Sequence, residues 1–576
     1  MWVPSTSVVL RVAPLIFDGL LPTLMYCCAK TERLRDRNAM LMKIKERKEK
    51  LSIYLAKNEK SDDLELLKLE NAKPAISLEI KNLEKANLYI KKEPPIHSPP
   101  WTKIFTSRRE VSADDFGNSS SVGAALVISA LQKKFIITFG TGFHLLNEET
   151  IERDFGLRVT LNSVDPDKLR SLDKSSYDHN PLNSRTQSTK EVDIFDLHMD
   201  SEIEILSTIT GSSTVEIFGS HVTGRDAFTV ITSLDLDHLN LILEEALNRY
   251  KQKLPEIFEW VENINRVRDL DDIEILDIEL EDVINGPNLD SFWLGEPEIV
   301  DWENQIGYSF DLYPRTERHV VLELKHLIDH LKSKSAPLSI DSLKHTQIHI
   351  NDNLYKPVKS WPAYKCLYAE ISYSGDSYIL RNATWYKVNP SFVNTIDEHL
   401  SSLATYTAPL PRYEEDREED YNLKLVLDPA FELLDKKNIK IGGTYDKLEF
   451  CDVIKNGNEL IHVKYYRSSS TLSHLFSQGC VSAEAFVRDV EFRKKLNSKL
   501  PKSIQLADPE PRPNPSDYKI VYAIATTKKL PMELPFFSKV TLKNALKILR
   551  GLNYQVEIVA IDVDPNLLIK KKCKPK

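Results

Sequence analysis

Asp452, His462 and Lys464 are the residues of this chain whose types and spacing best suit chemistry. They fall in the stretch KLEFCDVIKNGNELIHVKYYRSSSTLSHLFSQG, which reads as a strand, a tight turn, a second strand and a helix start. His462 and Lys464 are two apart on the second strand, so they share a face about 6–7 Å apart. An acid on one strand and a lysine on its hairpin partner are the parts of a metal-dependent phosphodiesterase site. The carboxylate would hold Mg²⁺ or Mn²⁺ through oxygen. The lysine would orient water and steady developing negative charge. His462 would serve as ligand or general base.

Asp452 joins that face only in one register. A two-residue Asn-Gly turn would set it opposite Ile461; a three-residue turn over Asn456, Gly457 and Asn458 would set it opposite His462. Asn-Gly favours the first, and the second is the expectation adopted. The bland alternatives are a cross-hairpin Asp452–Lys464 salt bridge and a partly buried, hydrogen-bonded His462. Cys451 and Cys480 read as small core residues, and His474 as a packing or capping residue near a helix start.

Basic residues around the hairpin suit a polyanion. Arg467, Arg488 and Arg493 are the candidate nucleic-acid contacts, with Lys436, Lys437, Lys440, Lys494 and Lys495 nearby. From 541 to 576 there are eight Lys/Arg against three Asp/Glu. Solvated surface is an equal reading of that charge. Tyr465 and Tyr466 would stack a base or pack.

At 576 residues the chain has room for three or four domains. Its 41% hydrophobic and 28% charged content is ordinary for a globular protein. A net charge of −9 argues against a protein coated in nucleic acid, not against a local basic groove. Six cysteines without a CxxC pair make a structural zinc site unexpected and fit a reducing cytoplasm. No GxxxxGK[ST], GxGxxG or GxSxG string occurs, which disfavours P-loop ATPases, dinucleotide enzymes and serine hydrolases.

The expected organisation has five parts. Residues 1–41 read as a false extension of the reading frame, ahead of a signal peptide, anchor or genuine domain: the apolar run 8–24 is broken by Arg11, Asp18 and prolines, too short for a membrane span. Residues 42–105 form a small α/β segment ending in the stiff linker EPPIHSPPW. Residues 106–270 form an α/β domain with a strand pair over 124–130 and 135–139. Within it a helix is expected over 148–155, a strand over 157–161, a helical turn over 165–172 and a loop over 174–192. Arg153, Arg158 and Arg170 would tie a structural corner or line a phosphate contact. Residues 237–253 read as a helix closed by Pro255. Residues 271–412 hold an acidic stretch, a helix over 320–333 and a β-meander. From 269 to 303 there are thirteen acidic residues and no Lys or Arg: a solvated face, or a surface for a basic partner. Residues 413–576 form the last domain, opened by the hydrophilic EEDREED.

The hairpin with its flanks resembles the PD-(D/E)xK nucleases, whose restriction-endonuclease-like fold runs helix, strand, acid-bearing strand, (D/E)xK strand, helix. That resemblance implies α/β (α+β) class overall, with a C-terminal mixed sheet flanked by helices. Residues 430–436 would be the first helix, offering Glu432. Asp452 takes the acid position, Lys464 the lysine position, and Gln478 supports the site. His462 stands where the second carboxylate is expected; Glu449 is near but on the opposite parity. A Mg²⁺-dependent endodeoxyribonuclease is the activity implied, and a non-catalytic nucleic-acid-binding or scaffold protein on a degenerate nuclease fold is the alternative. Longer strings, ERDFGLRV, DPDKLRS, ELIHVKYY and SHLFSQG among them, resemble an uncharacterised, sporadically distributed bacterial family over roughly residues 50–561. That patchy distribution implies mobile-element or phage defence, DNA as partner together with proteins of a defence operon, no membrane, and a cytoplasmic location.

Overall fold

The computed structural model describes residues 48–58, 61–92, 102–106, 112–116, 121–176, 182–233, 236–286, 292–300, 305–313, 316–440, 447–467 and 469–567. The expectations for residues 1–41 and for the linker prolines lie outside these. The class is mixed α+β, with several separate sheets. No described helix is long and apolar enough to cross a membrane.

Two compact units divide the chain. The first comprises Met1–Ile151, Glu216–Ser220 and Thr229–Glu245. Its strands run in the order Ile76–Leu78, Lys85–Ile90, Gly123–Ala130, Lys133–Gly140, Lys48–Leu55, Phe228–Ser233. The expected pair is there as a hairpin, Gly123 opposite Gly140 through Ala130 opposite Lys133. Leu131 and Gln132 close it with φ of 57° each, the left-handed twist that two-residue hairpins demand.

The second unit comprises Glu152–Val215, His221–Phe228 and Ala246–Lys576. Its N-terminal part and the segment just before it correct four expectations. Phe155–Leu161 is a helix, not a strand. The alternation of Leu157, Val159 and Leu161 mimics a strand, but Phe155, Gly156, Val159, Thr160 and Leu161 are the buried set, a helical spacing. Gly156 is required there: a Cβ would lie 2.0 Å from the Ala227 carbonyl oxygen. Val164–Ser176 is one long strand, not a helical turn. Its register slips between Leu169 and Ser171, and such a bulge puts Leu169 and Leu172, three apart, on the same buried side. The expected loop holds Asn183–Val192, an edge strand polar on both faces. The helix over 148–155 is reduced to one 3₁₀ turn, Glu148–Thr150. Arg158 donates to the carbonyls of Tyr250 and Gln252 at 2.9 Å each and meets Glu262, which is the structural-corner reading. Arg170 donates to Thr189 O.

The acidic stretch contains the helix Leu270–Ile284, whose Leu276, Leu280 and Ile284 are buried. The meander forms as expected from Leu367–Tyr373, Asp376–Arg381 and Thr384–Val388, within a five-stranded sheet.

The C-terminal sheet has six strands, in the order Ala404–Thr405, Gln555–Ile561, Lys519–Ala525, Glu459–Tyr465, Val453–Lys455, Phe431–Leu433. Three long central strands run parallel and bury nearly every side chain of Lys519–Ala525, as a sheet covered on both faces must. One face carries Leu460, Ile520, Tyr522 and Ile524 under the helices Ser469–Arg488 and Phe536–Gly551. The other carries Ile461, Val463, Val521 and Ala523 with Tyr421 and Leu425 of the helix Glu418–Leu425. Residues 430–436 are therefore not a helix: Phe431–Leu433 is a strand against Val453–Lys455. The first helix of the domain lies earlier, inside the run read as a hydrophilic boundary.

Candidate metal centre

The hairpin register comes first, because it decides which residues can meet. Val453 pairs with Ile461 and Lys455 with Glu459, leaving a three-residue turn. Asn456 and Gly457 take φ of 53° and 78°, a region Asn and Gly enter most readily. Above Val453 the ladder is irregular: the Asp452 N–H goes to the Ile461 carbonyl at 3.1 Å. The Asp452 carboxylate then accepts the Val463 N–H at 2.7 Å. Asp452 is thus bound into the backbone of the lysine strand.

Residues 449–452 lie outside regular strand, so strand parity does not separate Glu449 from Asp452. With Asp435, one carboxylate oxygen from each falls within 4.8 Å of the others. Asp435 follows Leu434, and the backbone N–H groups of both bind the Asp452 carbonyl, at 2.8 and 2.9 Å. Glu449 accepts the Lys436 N–H on one oxygen and the Gln478 amide at 3.1 Å on the other. Gln478 is brought close by Gly479: a Cβ there would sit 2.6 Å from the Tyr522 hydroxyl, so only glycine lets this helix lie so near the sheet. Asn422 holds Asp435 at 3.2 Å.

Burial pushes the Asp452 carboxyl up to about 8, helped by the negative charges of Glu449, Asp435 and Glu418, against the lowering bond from Val463. Burial also raises Glu449. Three half-buried carboxylates cannot all stay ionised side by side without a proton or a cation among them.

Lys464 points to another carboxylate. Its ammonium meets Glu418 at 2.8 Å, and the other Glu418 oxygen takes the Tyr465 N–H at 3.2 Å. The Asp452–Lys464 bridge is not formed.

His462 is the clearest correction. It is fully buried, its ring 5.9 Å from that of Tyr522, with neither ring nitrogen hydrogen-bonded. Burial drives its pKa down to about 4. It is no part of the carboxylate group and not a hydrogen-bonded core histidine either. Glu432 is also misplaced: it sits on the strand Phe431–Leu433 and accepts from Ser503 at 2.9 Å. Arg493 is 2% exposed and donates to the carbonyls of Phe486, Val487, Pro509 and Glu510, so it braces the fold and cannot contact nucleic acid. Arg488 is exposed and pairs with Glu484 one turn away at 2.7 Å. Arg467 is exposed, just past the lysine strand. Tyr465 is a core residue beside Tyr413. Cys451 and Cys480 are buried, as expected.

Sequence reasoning missed Asp435 and Glu418. Nothing in FELLDKKN marks Asp435. Glu418 was visible within EEDREED, where a first-turn Glu just before buried Tyr421 and Leu425 is a helix-start signal.

Residues 51–562 match a family of unknown function, DUF6119, and the chain belongs to that family. No curated protein and no solved structure is detectably similar to it.

Proposed function

We propose that this protein is a divalent-cation-dependent nuclease, with Asp435, Glu449 and Asp452 as cation ligands and Lys464 as the catalytic ammonium. The convergence of the three carboxylates carries the reading. The all-oxygen donor set suits Mg²⁺ or Mn²⁺ rather than a softer ion, and Asp452's raised pKa marks a site short of positive charge. A bound ion would polarise the phosphate and activate water. Element order adds support. The helix Glu418–Leu425, the strand Phe431–Leu433, the Asp452 segment, the Lys464 strand and the helix Ser469–Arg488 follow one another as in PD-(D/E)xK nucleases. In this reading Glu449 replaces the carboxylate that His462 lacks, Gln478 positions Glu449, and Glu418 holds Lys464 by its ammonium.

Purified protein incubated with plasmid, linear and single-stranded DNA and RNA, with Mg²⁺ or Mn²⁺, tests it. Metal-dependent cutting that disappears in Asp452→Asn and in Lys464→Ala is expected. Cutting unchanged in either variant removes the assignment.

A second reading rests on two observations: the buried His462 at the second-carboxylate position and the Lys464–Glu418 pair. It is a non-catalytic nucleic-acid-binding protein on a worn nuclease fold, with steeply salt-dependent binding and no cutting.

A further inference from the structure

Beside the carboxylate trio, the segment that carries Asp435 runs on through Lys437 and Asn438 into the short strand Ile439–Lys440. The helix Val490–Lys499 packs against that strand. Its Lys495 donates to the Lys440 carbonyl at 2.8 Å, and its Lys499 to the Asn438 carbonyl at 2.5 Å. Two ammonium groups are thereby pinned along the backbone that leads to Asp435. They sit one helical turn apart, about 6 Å, much as neighbouring phosphates of one DNA strand are spaced. Lys437 and Lys440 add two more charges on the same segment, and the Lys437 ammonium is near enough to act on the Cys451 thiol, next to Asp452.

None of these four lysines meets a carboxylate among the described residues, whereas their neighbours do. Lys436 pairs with Glu419 at 2.5 Å, and Lys494 with Glu510 at 2.7 Å and Glu491 at 3.4 Å. In a chain of net charge −9, four such ammonium groups along one line make a local positive track. Lys440, Lys495 and Lys499 are exposed. The aromatic rings of this region, Phe450, Phe486 and Phe492, are packed together and buried. Among the described residues the track therefore offers point charges for phosphates and no ring for a base to stack on. That suits a duplex backbone rather than a single strand.

We infer that Lys437, Lys440, Lys495 and Lys499 form a track for the phosphate backbone of duplex DNA, leading it to the carboxylate trio; what happens to the DNA there rests on the nuclease reading. Binding along the track is independent of base sequence and steeply salt-dependent.

The test is fluorescence-anisotropy titration of the full-length protein with a labelled DNA duplex and with the matching single strand, in EDTA, over a series of salt concentrations. Tighter binding of the duplex is expected, falling steeply as salt rises. Lys495→Gln with Lys499→Gln should weaken duplex binding by about tenfold or more and lower the salt slope by about two. Lys437→Gln with Lys440→Gln should do the same, and carries the comparison if the first pair does not fold. Lys325→Gln with Lys332→Gln, two exposed charges taken from the helix Leu324–Ser333, should leave affinity and slope in place. No duplex binding by the native protein, equal binding of the single strand, or a slope that the track variants leave unchanged or the control pair lowers as much, overturns the inference. Mg²⁺ added afterwards separates it from the nuclease reading. Lysine-dependent binding without cutting leaves the track standing and removes the nuclease; cutting with lysine-independent binding does the reverse.

Discussion

The carboxylate of Asp452, just before the first arm of the hairpin, accepts the backbone N–H of Val463 on the second arm at 2.7 Å. Val463 lies between His462 and Lys464, so this bond fixes the acid to the lysine strand by backbone rather than by ion pairing. Asp452→Ala leaves that N–H without its acceptor and should cost about 1–3 kcal/mol. Asp452→Asn keeps an acceptor oxygen and should cost less. Urea denaturation of the two variants checks the order.

Acidity follows from the same carboxylate. Asp452 titrates near 8 folded against 3.8 in the unfolded reference. Between those values the folded chain keeps a proton that the unfolded chain gives up, so stability falls as pH rises from about 4 to 8. Asp452→Asn should flatten that fall. Mn²⁺ should displace the proton and restore stability at the alkaline end. Melting curves from pH 5 to 9, with Mn²⁺ and with EDTA, measure it.

His462 slopes the other way. Its folded pKa, about 4, lies below the ordinary 6.5. The unfolded chain takes up a proton that the folded chain refuses, so stability is full above about pH 6.5 and is lost as pH falls toward 4. His462→Leu should remove this acid sensitivity and be neutral or stabilising at pH 7, because both ring nitrogens are buried without partners. It should leave metal-dependent cutting intact. A cleavage rate lowered a hundredfold in His462→Leu would put the imidazole back into the chemistry.

The Lys464–Glu418 pair is half-buried, with side chains 28% and 30% exposed. Glu418→Gln keeps an acceptor for the Tyr465 N–H and loses the charge, so it should cost only about 1 kcal/mol. It should also shift the pH–rate profile by altering the field at Lys464 and Asp452. A variant with an unchanged profile would make Glu418 merely structural.

Arg493 should behave as a brace. Arg493→Met leaves four carbonyl acceptors unfilled inside the fold and should destabilise by about 3 kcal/mol or more. The salt dependence of nucleic-acid binding should not move. Arg467→Ala should reduce it.

How far the sequence reached depends on periodicity. The strand pair Gly123–Ala130 and Lys133–Gly140 and the helix Leu239–Lys251 were legible as apolar alternation and helical spacing. The Asn456–Asn458 turn was legible from a glycine-assisted loop. Where a bulge broke the period, at Leu169–Ser171, the strand read as a helix. At the candidate site, Asp452 was visible by spacing. Glu449 was not visible as a partner of Asp452, because parity arguments assume a regular strand and residues 449–452 are not one. Asp435 is brought in only by backbone bonds to the Asp452 carbonyl, which no local pattern announces. Burial of His462 depends on Tyr522, sixty positions downstream.

The carboxylate trio is tested most directly by titrating Mn²⁺ into metal-free protein and counting ions bound and protons released. One ion bound per chain with proton release near pH 7 is predicted for the native protein, and loss of that binding in both Asp452→Asn and Glu449→Gln. Undiminished Mn²⁺ binding in an Asp435→Asn, Glu449→Gln, Asp452→Asn triple variant, or none in the native chain, would contradict the account.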